Sequence, residues 1–237
     1  MPKIFVYILL WVFVASASAQ SINDIHQITS TLITYIQLID GTGTTARNIS
    51  VRIEGNKIIE VGKLTRFPGE KIIDGGGKIL APGFIDSHSH IAGSLKNHPD
   101  ALADLSEGVT TIVSGQDGYS VNICSDGSYN GHPMGWGSFT RMLGYYVRER
   151  KIMDLAKAIQ KMTSLSAEHT DIKNRGVIAP GYFADLVLFD ANTVIDHANS
   201  KHANAPSTGI ERVWVNGICV YENQQPTHQY PGMFLSR

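Results

Sequence analysis

Two histidines one residue apart, His88 and His90, close the apolar run Phe84-Ile85-Asp86-Ser87. Residues two apart in an extended strand point the same way, so a strand ending here offers two imidazoles from one side. Neutral imidazole is a good zinc ligand. Taken alone, the spacing reads more readily as two solvated or capped histidines at a strand end. Two aspartates, Asp117 and Asp126, each stand before a glycine, where an aspartate is expected from turn chemistry alone.

The elements that must position these residues are legible from pattern. Ser50-Val51-Arg52-Ile53-Glu54 alternates with period two, Gly55-Asn56 supplies a turn, and Lys57 to Val61 continues as the return strand of a small antiparallel β-module. Beyond the Pro82-Gly83 break comes the strand ending at His88 and His90. A helix is expected around Pro99 to Glu107, and a buried strand over Gly108 to Gly115. Strand, helix and strand at this spacing predict a βαβ unit with a parallel pair. Leu155, Ile159 and Met162 line one face of a later helix. The tail returns to β character in Ala184 to Asp190 and in Val213 to Val220, where Asn216-Gly217 is a hairpin signal.

Composition narrows the function. The 237 residues are 43% hydrophobic and 17% charged with net charge −1, enough apolar material for one or two packed domains. No basic cluster points to nucleic acid, so the expected partner is a small molecule. Lys3, the apolar run Ile4 to Val14 and Ala17-Ser18-Ala19 read as a secretory signal peptide over residues 1–19, cleaved before Gln20. Eleven apolar residues reach only about 16 Å as a helix, short of the ~30 Å hydrocarbon core. The mature chain is therefore expected to be secreted or periplasmic, with no membrane association after cleavage. Cys124 and Cys219 allow at most one disulfide, and Asn48-Ile49-Ser50 is a glycosylation acceptor if the source is eukaryotic.

Ala81-Pro82-Gly83-Phe84-Ile85-Asp86-Ser87-His88-Ser89-His90 resembles the first barrel strand of the amidohydrolase superfamily. Gly181 to Val187 and Val213 to Gly217 look like the strands that complete its small β-domain. The long stretch from Ser125-Asp126-Gly127 through His132-Pro133-Met134-Gly135-Trp136 to Leu165 is similar to the last barrel strand and helices of the N-acyl-D-amino-acid deacylases, or D-aminoacylases. That resemblance implies hydrolysis of N-acyl-D-amino acids with Zn2+, a divalent metal, held by His88, His90 and Asp117. Asp117 stands where the family commonly has a cysteine ligand. It further implies Asp126 as general base and later general acid, and it makes His132 a possible substrate-binding residue.

One departure bears on all of this. A (β/α)8 barrel typically takes about 250 residues, and Phe84 to Leu165 spans 82. The expected fold is thus α/β: a truncated amidohydrolase-type (β/α) barrel over 84–175, with a small β-domain built from both chain ends, 20–83 and 176–237. The shortened chain is expected to be impaired as an enzyme. The rival readings are a non-catalytic secreted remnant or binding module, which would lack stoichiometric zinc, and an amidohydrolase acting on a cyclic amide or dipeptide.

Overall fold

The structure, a computed structural model, describes residues 30–114, 123–127 and 132–235. The expected leader, residues 1–19, lies outside them. Among the described residues eleven strands are formed: β1 (Thr31–Leu38), β2 (Arg47–Glu54), β3 (Lys57–Gly62), β4 (Lys71–Asp74), β5 (Ile79–Pro82), β6 (Phe84–Ser89), β7 (Val109–Ser114), β8 (Leu186–Phe189), β9 (Ile210–Val215), β10 (Ile218–Glu222) and β11 (Gln225–Pro226). Nine of them make one mixed sheet in the order β11-β10-β9-β8-β5-β1-β2-β3, with β4 branching from β1. Strands from before and after the α-helical centre are therefore neighbours, meeting where β5 pairs antiparallel with β8.

The branch at β1 has a local cause. Tyr35 lies in the left-handed region at φ +49°, and the register against β2 slips between Ile33 and Ile36. The kink divides the far edge of β1 into two halves. Thr31 to Thr34 pair with β4, while Gln37 and Leu38 pair with β5. Gly75 and Gly77 carry the chain between β4 and β5, donating their N–H groups to Thr34 O and Tyr35 O. A side chain at Gly75 would lie 2.2 Å from Ile36 Cγ2, so only glycine fits the crossing.

Both expected hairpins form. β2 and β3 turn at Gly55-Asn56. β9 and β10 turn at Asn216-Gly217, both with positive φ as a type I′ turn requires. β8 is buried at every residue because both faces of the sheet are covered there. Leu186 and Leu188 face a core with Ile33, Leu38, Leu80 and Trp214. Val187 and Phe189 face the opposite way, onto Phe84, Val109, Phe139, Ile159 and Met162.

That second face carries the α/β layer. β6 and β7 pair in parallel around α1 (Leu102–Glu107), the expected βαβ unit. The helix begins three residues later than Pro99, since Ala101 takes a left-handed conformation at φ 47° before it. A 3-10 turn, Pro133–Trp136, leads into α2 (Ser138–Arg141) and a π-helix over Met142–Glu149. Then follow α3 (Leu155–Met162), capped by Asp154 accepting from Lys157 N at 2.7 Å, and α4 (Ser164–His169). Ile159 and Met162 are fully buried and Leu155 packs beside them, as the periodicity of α3 predicts. Among the described residues no helix is long and apolar enough to cross a membrane, and Cys124 and Cys219 are free thiols.

Candidate metal centre

The end of β6 delivers His88 and His90 as the period of a strand requires, on the side that already carries Asp86. Their Nε2 atoms converge on a single carboxylate oxygen. Asp126 Oδ1 lies 3.0 Å from His88 Nε2 and 3.4 Å from His90 Nε2. The two rings meet edge to face with centroids 5.1 Å apart. All three ligand atoms lie within 4.8 Å of one another, and this is the group of three metal-competent side chains found among the described residues. His88 is 15% exposed, His90 48% and Asp126 57%, so the cluster opens to solvent on the His90 side.

Asp126 reaches the histidines because its segment docks beside β6. Asp126 N donates to His88 O at 2.9 Å, and His90 N donates to Gly127 O at 3.0 Å. Beneath it lies Asp86, which is buried. Its Oδ1 accepts from Ser125 N at 3.0 Å and its Oδ2 from Ser125 Oγ at 2.5 Å. Burial pushes the Asp86 carboxyl above its ordinary value, opposed by these bonds and by His88 N. Burial, with the Asp86 and Asp126 carboxylates, also pushes the Cys124 thiol up, which disfavours a thiolate there.

Two imidazole nitrogens and a carboxylate oxygen turned toward one point are a donor set suited to a divalent ion of the zinc type, with room on the open side for water. His132 caps the turn Pro133–Trp136, its Nδ1 accepting from Met134 N at 3.2 Å. Asp117 lies outside the described residues. Sequence reasoning passed over Asp86 and Ser125. The signal for Asp86 was available, since it sits two residues before His88 on the same strand face. Nothing local distinguished Ser125.

The profile of the amidohydrolase family matches residues 115–221. Over that stretch the chain is similar to the amidohydrolase family. It is 47% identical over 118 residues to the N-acyl-D-glutamate deacylase of Alcaligenes xylosoxydans xylosoxydans, covering 48% of this chain and 24% of that enzyme. It is 38% identical over 143 residues to the D-aminoacylase of the same organism, covering 60% and 28%. The chain thus spans about a quarter of the length of these curated relatives. Its fold is similar to the N-acyl-D-glutamate deacylase of Bordetella bronchiseptica, solved with zinc and a phosphonate inhibitor described as a mimic of the tetrahedral intermediate. There the TM-score is 0.73 at 17% identity, over 84% of this chain and 98% of that one.

Proposed function

We propose that this chain holds a D-aminoacylase-type hydrolytic site, acting on the amide of N-acyl-D-amino acids with zinc as its divalent ion. The observation that carries the reading is the convergence of His88 Nε2 and His90 Nε2 on Asp126 Oδ1. His88 and His90 would hold the ion, with Asp117 as a third ligand. When bound, the ion would polarise the amide carbonyl and acidify the attacking water. Asp126 would take the proton of that water and pass it to the departing amine, its exposed carboxylate reaching both. The similarity to N-acyl-D-glutamate deacylase and D-aminoacylase supports this choice of substrate class.

The proposal extends to the barrel. Among the described residues the sheet that bears the histidines has two strands, the parallel pair β6 and β7, with 123–127 hydrogen-bonded alongside. We take this as a shortened form of the family barrel, its two remaining flanks joined directly. A site with half its wall absent excludes water poorly and preorganises few dipoles around a developing oxyanion, so turnover is expected to be slow.

Zinc content tests the reading. The purified chain should bind about one zinc per monomer, and a His88→Ala/His90→Ala variant should bind none. Hydrolysis of N-acetyl-D-amino acids then follows as the second measurement. Zinc absent from both proteins would overturn the metal reading and favour a non-catalytic remnant.

A further inference from the structure

Asp126 is held in an unusual backbone conformation by residues that never touch the site's open face. Its φ is +47°, in the left-handed region that few non-glycine residues adopt, aspartate among them when local hydrogen bonds hold it there. The enforcement is visible on both sides. Before Asp126, Ser125 N donates to Asp86 Oδ1 at 3.0 Å and Ser125 Oγ donates to Asp86 Oδ2 at 2.5 Å. After it, Gly127 N donates to Ser125 Oγ at 3.0 Å. The serine hydroxyl therefore spans Asp126, bonded to the strand β6 carboxylate below and to the peptide beyond. A side chain at Gly127 would lie 2.4 Å from Gly135 Cα, so the turn over Pro133–Trp136 closes the remaining direction of escape.

We propose that Asp86 and Ser125 are positioning residues: acting through Ser125, the buried carboxylate of Asp86 fixes the backbone turn that sets Asp126 against His88 and His90. Asp86 is 1% exposed and Ser125 5%, so neither can meet a substrate, and the effect of Ser125 passes through Asp126. Asp86 also accepts from His88 N at 3.3 Å, tying the histidine strand and the aspartate turn to one group. The inference deepens the site reading above and rests on Asp126 belonging to it, but zinc occupancy plays no part in its test.

The test is nuclear magnetic resonance of the histidine ring nitrogens in the metal-free chain at one fixed pH. Asp126→Ala removes the carboxylate and defines the shift of the His88 and His90 resonances on losing it. Ser125→Ala, which deletes one hydroxyl, should move both resonances in the same direction, and Asp86→Asn should do so to a smaller extent because it keeps an acceptor for Ser125 N. The Ser125→Ala/Asp126→Ala double variant should coincide with Asp126→Ala alone, since nothing remains to be positioned. Backbone amide spectra identify any variant that has lost its fold. Ring resonances of folded Ser125→Ala that stay at their wild-type positions would overturn the proposal. So would a double variant shifted well beyond Asp126→Ala, the mark of a general structural role. A chain that passes this test yet binds no zinc keeps the positioning assignment and loses the metal reading.

Discussion

At the scale of single residues, Asp126 separates two roles that the geometry brings close together. Its carboxylate can act on protons or can ligate, and Asn is the substitution that distinguishes them, because the amide keeps the shape and loses the basicity. As a general base, Asp126→Asn should lower whatever hydrolysis of N-acyl-D-amino acids the chain shows by roughly 10²–10⁴ in kcat, with bound zinc retained. Zinc lost together with activity would instead make Asp126 a ligand. The sequence made His88 and His90 readable because a strand has one simple rule, alternation, and their spacing obeys it. Asp126 was readable only through its resemblance to a family motif. Its φ of +47° and its docking against β6 depend on a partner nearly forty residues earlier, and no local pattern carries such a pairing.

Secondary structure elements were legible wherever local chemistry decides them. Asn216-Gly217 announces its own turn, and α3 announces its buried face. The branch of β1 was not legible, since Tyr35 gives no sign of a left-handed residue and β4 pairs with β1 in parallel across an intervening hairpin. The joint between α1 and β7 belongs to this scale too. Gly108 caps the helix at φ +83°, and a side chain there would lie 2.8 Å from Val187 Cγ2 and 3.1 Å from the Phe84 ring. Helix, parallel strand and sheet thus meet where only glycine fits. Gly108→Ala combines left-handed strain with overpacking and should destabilise the fold by about 2–4 kcal/mol. Urea unfolding measures it, with Gly232→Ala as comparison, since a side chain at Gly232 meets nothing within 4 Å and should leave the midpoint unchanged. Equal midpoints for the two variants would mean that the α1–β7 joint is looser than its contacts suggest.

For the molecule as a whole, the closing of the α/β layer over the sheet traps acids that a surface helix would leave in water. Asp104 and Glu107 lie three apart on one face of α1 and both are buried. Asp104 Oδ2 has no hydrogen-bond partner, while Glu107 Oε2 accepts from Phe139 N at 2.7 Å. Burial, then the nearby Asp86 charge, pushes the Asp104 carboxyl from 3.8 to about 7, and burial pushes Glu107 well above its ordinary value. A raised carboxyl binds its proton more tightly folded than unfolded. Its stabilisation is therefore complete below the unfolded value of 3.8 and is lost as pH rises to about 7. For Asp104 alone the loss is on the order of 4 kcal/mol, and Glu107 adds in the same direction. Glu70 works against them at the acid end. Burial raises it, but hydrogen bonds from Arg52, Phe67 N and Ser30 outweigh that and hold it at about 2, so its contribution is present above 4.5 and fades as pH falls toward 2. The two slopes oppose each other, and the melting temperature should peak in mildly acidic solution, near pH 4–5, and decline toward neutrality. Asp104→Asn, neutral at every pH, should flatten the decline between pH 4 and 7 and raise stability most above pH 7, by as much as about 4 kcal/mol. Melting curves of the two proteins across pH 3 to 9 that run parallel would mean that Asp104 is reached by water and that the layer over the sheet opens around it.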